Sequence, residues 1–207
     1  MIVRLSGSLR RSSHSLPRRL LLALAAFVLG AVPYPILNAV LPPRFDFMTP
    51  LDRVIPFLPW TLIIYWSWPL LLLSSVCLLE GRPFLRWLAA LLLCTMACYL
   101  GFVLFPAHYP RPSLDAIPSA VWRRAFGWLD AFDGRGNTFP SLHVALTTVS
   151  ALYMRRSRHG WSWVMAAVVL SLSTVTVKQH FVADVAAGAA LALTIHLATC
   201  RRAPGVG

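Results

Sequence analysis

The residues best suited to chemistry are a histidine and an aspartate four positions apart, His180 and Asp184. On a helix, residues at this spacing share a face, so the carboxylate can accept a hydrogen bond from one ring nitrogen. The other ring nitrogen then stays free to act as a nucleophile or a base. The alternative is that Asp184 simply reaches water at the end of an apolar segment.

A second cluster follows Pro140, where Ser141 and His143 occupy a predicted helix start. Ser141 is a suitable N-cap, and proline is favoured at such starts. Free backbone N–H groups there, reinforced by the helix dipole, bind anions. His143 in the first turn is then placed to protonate a leaving oxygen. The alternative is an ordinary cap followed by an interfacial histidine.

Two cations accompany these clusters, Arg111 and Lys178, and Lys178 is the single lysine of the chain. Arginine offers a planar fork for a phosphate, and lysine offers a mobile point charge. Cations, a helix N-terminus and two histidines meet the needs of phosphoryl transfer. This chemistry requires no metal and no cofactor. The set of residues also lacks the carboxylate-rich shell that is typical of a Mg²⁺ site. A zinc site of two histidines and Asp184 is the rival interpretation.

The clusters interrupt a chain of 207 residues that is 57% hydrophobic and only 13% charged. This composition argues against a soluble monomer and predicts an all-α, polytopic membrane bundle. Since one crossing takes about 20 apolar residues, the chain has room for about six transmembrane helices. The predicted spans are residues 20–32, 60–79, 87–105, 141–153, 161–177 and 181–199. A retained first span is favoured over a cleaved signal peptide, because no small-x-small site follows it.

The net charge of +12 is interpreted as membrane orientation rather than nucleic-acid binding. If the chain crosses the membrane six times, 12 of its 19 cationic residues and Glu80 lie on the side of the N-terminus. The other seven cationic residues and the other six acidic residues lie on the opposite side. The positive-inside bias then makes both termini cytoplasmic. The segments that carry Arg111, Ser141 to His143, and Lys178 to Asp184 all face outward, toward the periplasm if the chain lies in a bacterial inner membrane.

The predicted domain organisation is simple. Residues 1–19 form a basic cytoplasmic N-terminus, residues 20–199 a single six-span catalytic domain, and residues 200–207 a cytoplasmic tail. The longest connection, the extracytoplasmic loop 106–140, contains an amphipathic segment from Trp122 to Trp128. This segment suits a helix at the headgroup level, and a simple anchoring loop is the alternative.

These residues resemble the type 2 phosphatidic acid phosphatase superfamily, whose core is similar to that of vanadium haloperoxidases. The shared motifs, in chain order, are Arg111-Pro112, Pro140-Ser141-Leu142-His143 and His180 to Asp184. The resemblance implies that His180 is a nucleophile that forms a phosphohistidine, with Asp184 orienting it and His143 as general acid. It implies that Arg111 clamps the phosphate and that Ser141 contacts it.

The chain departs from the family pattern at two cations, which are replaced by Leu104 and Thr174. Lys178 is the expected replacement charge, and His108 is a weaker candidate. The sequence around Lys178 and His180 looks more like the branch of inositol phosphorylceramide synthases and their bacterial relatives. Because a chain this short has little extra structure for a second substrate, we expect a lipid phosphate phosphatase whose partners are a phosphorylated lipid and membrane lipids, not nucleic acid. The alternatives are a lipid headgroup phosphotransferase and a non-catalytic scaffold or lipid-binding subunit.

Overall fold

The computed structural model describes residues 15–201, so most of the predicted basic N-terminus and the last six residues lie outside the described part. Within this range the chain forms ten α-helices, with 3-10 turns at Pro59–Thr61 and Leu114–Ala116. The predicted all-α fold class is confirmed. The helices are α1 (Leu16–Ala31), α2 (Pro33–Val40), α3 (Pro50–Val54), α4 (Leu62–Trp66), α5 (Trp68–Leu78), α6 (Gly81–Leu104), α7 (Ala120–Phe132), α8 (Leu142–Met154), α9 (Gly160–Thr176) and α10 (Val182–Arg201).

All six predicted apolar segments are helical in the structure. Four helical stretches are long and apolar enough to cross a membrane: Leu16–Val40, Pro59–Leu78, Gly81–Leu104 and Val182–Cys200. The other two predicted spans, α8 and α9, are apolar but shorter, with 13 and 17 residues. The first helix begins at Leu16, so the end of the predicted N-terminal segment 1–19 already belongs to it.

Helix α8 occupies the centre of the bundle and contacts α5, α6, α9 and α10. A buried hydrogen bond from Trp87 Nε1 to Ser150 Oγ, 2.9 Å long, joins α6 to α8. At the N-terminus of α8, two glycines let the neighbouring helices approach closely. A Cβ atom at Gly188 of α10 would lie 2.6 Å from the backbone oxygen of Ser141, and one at Gly101 of α6 would clash with the ring of Pro140. The segment that carries Ser141 and His143 is therefore clamped between α6 and α10.

Helix α7 corresponds to the predicted amphipathic segment of the loop 106–140. Its inner face buries Phe126 and Leu129, whereas Trp128 and Phe132 are 70% and 85% exposed. Large exposed aromatic side chains beside an apolar helix bundle are typical of residues that anchor a helix at the membrane interface. The predicted helix is confirmed.

Candidate active site

His180 and Asp184 form the pair that their spacing predicts. His180 lies in the turn between α9 and α10, and its Nδ1 is 3.3 Å from Asp184 Oδ2. The same Nδ1 is 3.0 Å from the backbone oxygen of Thr138. Because a carbonyl only accepts, Nδ1 must carry the proton, which leaves the lone pair of a neutral ring on Nε2.

Asp184 does not reach water, so the alternative interpretation of this residue is wrong. Its side chain is 0% exposed, and Oδ2 also accepts a hydrogen bond of 2.9 Å from the backbone N–H of Phe181. A carboxylate buried this deeply is stable only when it is paired and hydrogen-bonded. Its partners fix the carboxylate under the His180 ring.

Ser141 caps α8 as predicted, and the cap joins the second and third motifs. Its hydroxyl oxygen accepts a 3.3 Å hydrogen bond from the N–H of Val144, and its own N–H donates to the backbone oxygen of Asp184 at 3.0 Å. His143 follows in the first turn of α8. The ring centroids of His143 and His180 are 6.0 Å apart. The structure thus brings these two predicted histidines together at the same end of the bundle.

Arg111 lies at this end as well, but acceptors already surround its guanidinium group. Nη1 donates to Asp130 Oδ1 and to the backbone oxygen of Asp133, both at 2.7 Å, and Nη2 donates to the backbone oxygen of Gly134 at 2.8 Å. The buried Nε has no hydrogen-bond partner among residues 15–201. Arg111 is therefore held rigidly, with one buried N–H group available.

Asp133 connects Arg111 to His143 through Tyr65. Asp133 Oδ2 lies 3.9 Å from Arg111 Nη2 and accepts a 3.1 Å hydrogen bond from the Tyr65 hydroxyl. That hydroxyl is 3.4 and 3.3 Å from the two ring nitrogens of His143. Tyr34 donates to the other oxygen of Asp133 at 2.8 Å. The roles of Asp133, Tyr65 and Tyr34 could not be predicted, because single aromatic and acidic residues give no signal of contacts between distant segments.

Lys178 lies two residues after the end of α9 in an unusual backbone conformation. Its φ is +59°, and its N–H and that of Gln179 close a Schellman motif on the carbonyls of Val175 and Thr174. Glycine is the usual residue at this left-handed position. Its Nζ donates to the backbone oxygens of Asp52 and Ile55 at 2.9 and 2.6 Å. Burial lowers the pKa of this ammonium group.

Asp52 braces the third motif and was also missed. It is buried in α3, where Thr49 and Asp52 form a capping box. Its Oδ1 accepts a 2.8 Å hydrogen bond from the N–H of Val182, the first residue of α10. The signal was present in the sequence, since Thr49-Pro50-Leu51-Asp52 matches the capping-box pattern.

Buried polar atoms without partners gather next to His180. Among residues 15–201, no hydrogen bond reaches Thr138 Oγ1, Asp184 Oδ1 or either side-chain polar atom of Gln179. Nearly all buried polar groups in proteins are paired, so such a concentration is typical of a site that binds a polar ligand. The same described residues contain no group of three or more His, Cys, Asp or Glu side chains arranged to hold a metal ion.

One cavity reaches the site, and a second lies beside the segment that precedes Thr138. The larger, of about 880 Å³, is mostly apolar and reaches Tyr65, Asp133 and His143 at one end. The smaller, of about 190 Å³, is lined by His108, Arg135 and Asn137. Asn137 precedes Thr138, whose backbone oxygen contacts His180. Of the two positions where the chain lacks the family cations, Leu104 is exposed and Thr174 is buried.

A family model described as the PAP2 superfamily matches residues 51–198. The chain belongs to the PAP2 superfamily. The match includes all three motifs, from Arg111 to Asp184, and indicates a phosphatase or phosphotransferase type of activity. With its long apolar helices, the chain is an integral membrane protein of this superfamily. No curated protein and no solved structure matches the chain significantly.

Proposed function

We propose that this PAP2 superfamily member is a lipid phosphate phosphatase that cleaves a phosphoester or pyrophosphate of a lipid through a phosphohistidine on His180. The observation that carries this proposal is the pairing of His180 Nδ1 with Thr138 and Asp184, which leaves the Nε2 lone pair free beside His143. A fixed neutral imidazole next to a second histidine suits in-line attack on phosphorus.

In the first half-reaction, His180 Nε2 attacks phosphorus and the bond from phosphorus to the lipid oxygen breaks. Protonated His143 gives its proton to that oxygen, so the lipid alcohol leaves from a phosphoester and the lipid monophosphate leaves from a pyrophosphate. The phosphorylated His180 ring carries positive charge, which the Asp184 carboxylate beside Nδ1 stabilises. Burial of this carboxylate strengthens the interaction.

In the second half-reaction, neutral His143 takes a proton from water as the water oxygen attacks phosphorus. The bond from phosphorus to Nε2 breaks, the electron pair returns to His180, and inorganic phosphate leaves. His143 ends protonated, ready for the next cycle. No step requires a metal.

In both half-reactions, positive charge near the phosphate oxygens is needed to stabilise their negative charge. The N-terminus of α8, capped by Ser141, supplies backbone N–H groups and the positive end of a helix dipole. Arg111 contributes through its buried Nε group, and Lys178 contributes charge from its anchored position two residues before His180. We place this site at the extracytoplasmic face of a bacterial inner membrane, with both termini cytoplasmic, on the charge asymmetry of the sequence.

A lipid headgroup phosphotransferase is the second candidate. The observation that favours it is the separate cavity lined by His108, Arg135 and Asn137, whose polar side chains can bind a hydroxylated acceptor distinct from the lipid. In that case an alcohol, rather than water, attacks the phosphohistidine.

The test is incubation of the purified protein with phosphatidic acid, isoprenoid phosphates and isoprenoid pyrophosphates. We expect phosphate release that vanadate inhibits and that the His180→Ala variant lacks. Transfer to an added lipid alcohol without phosphate release would establish the phosphotransferase instead. If no lipid is turned over, with or without an added acceptor, the protein is a non-catalytic scaffold or lipid-binding subunit.

A further inference from the structure

The larger cavity is an apolar groove that runs beside α1 and ends at the proposed active site. It lies between α1, α5 and α6, with α7 at its outer end. Along α1 it extends from Leu20 to Ala31, which is about 16 Å at the rise of a helix. This is about half of the ~30 Å hydrocarbon thickness of a bilayer.

Polar contacts hold α1 at both ends of the groove. At the inner end, Arg19 donates to the backbone oxygen of Leu79 and pairs with Glu80 at 3.2 Å. At the outer end, Tyr34 of α2, which directly follows α1, donates to Asp133, and the side-chain amide of Asn137 donates to the backbone oxygen of Tyr34 at 2.8 Å. Between these contacts, Ala26 is the only other buried residue of α1. The helix is therefore fixed at both ends, and between them it contacts α5 and α6 with few buried residues, which leaves room for the groove.

The polar atoms of the groove are concentrated at its outer end. Tyr34, Tyr65, Asp133 and His143 line that end. Farther in, the hydroxyl groups of Thr95 and Tyr99 are already bound to backbone oxygens of Leu91 and Gly30. An occupant of complementary chemistry is a hydrocarbon chain whose polar end lies at His143.

Resting on the proposed function, we infer that this groove binds the hydrocarbon tail of the lipid phosphate and sets the preferred tail length. The family match begins at residue 51, so the wall formed by α1 lies outside the matched part of the chain. Substrate preference is then a property of α1 together with the inner faces of α5 and α6. Phosphate recognition remains with the three motifs.

The experiment compares Ala23→Trp, which fills the groove from α1, with Leu29→Trp as a matched control. Ala23 lines the groove, whereas Leu29 is 71% exposed on another face of the same helix. Leu73→Trp fills the groove from α5 and serves as a second variant if Ala23→Trp fails to fold. Binding of butyl-, octyl- and hexadecylphosphonate to protein in nanodiscs is measured, because these compounds bind without being hydrolysed. Turnover of the matching alkyl phosphates is measured in parallel.

We expect both groove variants to lose about tenfold or more in affinity for hexadecylphosphonate, since each methylene excluded from an apolar site costs about fourfold in binding. Butylphosphonate affinity should stay unchanged, and Leu29→Trp should behave as wild type with every ligand. Partitioning of long chains into the nanodisc is common to all variants and cancels in this comparison.

The inference would be overturned if affinity depended on tail length in the same way in the groove variants and in Leu29→Trp. This holds even if turnover of alkyl phosphates is normal. That outcome would mean that the groove holds only bulk membrane lipid. Conversely, the expected binding pattern without turnover would support the groove and contradict the proposed phosphatase. The two proposals therefore fail in distinguishable ways.

Discussion

The two histidines of the site are held in different ways. His180 is fixed through Nδ1 by a backbone carbonyl and a fully buried carboxylate, on a turn that is closed by backbone hydrogen bonds. His143 lies against the rings of Tyr65 and Trp68, at centroid distances of 4.8 and 5.4 Å, and its polar contact is the Tyr65 hydroxyl. The His180 ring is therefore held by hydrogen bonds, whereas the His143 ring is held mainly by aromatic side chains.

This difference matches the two proposed roles. A nucleophile must approach phosphorus in line, and small errors in its position are costly. A general acid must gain and lose a proton in each cycle, and its hydrogen bonds are often long in the free enzyme and tighten when substrate binds. We therefore expect substitutions around His180 to have larger effects than those around His143.

The largest effect is expected for His180→Ala. Removal of a covalent nucleophile should lower kcat by on the order of 10⁴-fold or more. The measurement is phosphate release from a lipid phosphate in detergent, together with thermal unfolding to verify the fold. His196→Ala, near the other end of α10, is the matched control and should retain activity. Substantial turnover by His180→Ala would remove this residue from the mechanism.

The next effect is expected for Asp184→Asn, at about 10³-fold in kcat. The amide has nearly the same shape but no charge to balance the phosphorylated ring, and it permits the wrong tautomer of His180. Single-turnover kinetics should show that formation of the phosphoenzyme is slowed. The control is Asp46→Asn, which removes one negative charge from an exposed loop. If both variants lose activity equally, the effect comes from general electrostatics and not from the pair.

For His143→Gln we expect a loss of about 10²-fold on lipid phosphates, at the lower end of the range for general acid catalysis. An aryl phosphate with a good leaving group needs no protonation, so its first half-reaction should be much less affected. The ratio of the two losses, from burst-phase kinetics, reports on the role of His143. An identical loss in the burst with both substrates would contradict a general acid at this position.

The smallest effect is expected for Tyr65→Phe, about threefold in kcat on lipid phosphates. The lost hydroxyl bridges His143 and Asp133, so Tyr65 is a positioning residue for the acid. As with His143→Gln, the aryl phosphate burst should be nearly unchanged. Tyr34→Phe removes a hydrogen bond to the same carboxylate from a ring that packs against Phe102, and it is the control. A loss that is the same for both tyrosines and both substrates would indicate a purely structural role.

Local patterns in the sequence predicted much of this arrangement. Apolar segments predicted the helices, and the spacing of His180 and Asp184 predicted their hydrogen bond, because both signals act within a few residues. The cap at Ser141 was predictable for the same reason. The partners of the two cations could not be predicted. Lys178 and Arg111 donate to backbone carbonyls, and any residue type supplies a carbonyl.

Contacts across long sequence separations were not predictable. Asp52 reaches Val182 over 130 positions, and Tyr65 reaches His143 over 78. Only the packing of the bundle brings these segments together. The groove beside α1 has the same origin, because it depends on where Arg19 and Tyr34 attach the helix and not on a motif within it.

The most direct test of the central claim is to trap the phosphoenzyme. The protein is mixed with a lipid labelled in its phosphate, quenched after a few milliseconds to seconds, and digested for mass spectrometry. We expect phosphate bound to the peptide that contains His180, stable in base and labile in acid, and absent from His180→Ala. Phosphate attached to another residue, or rapid turnover without any phosphorylated peptide, would contradict it.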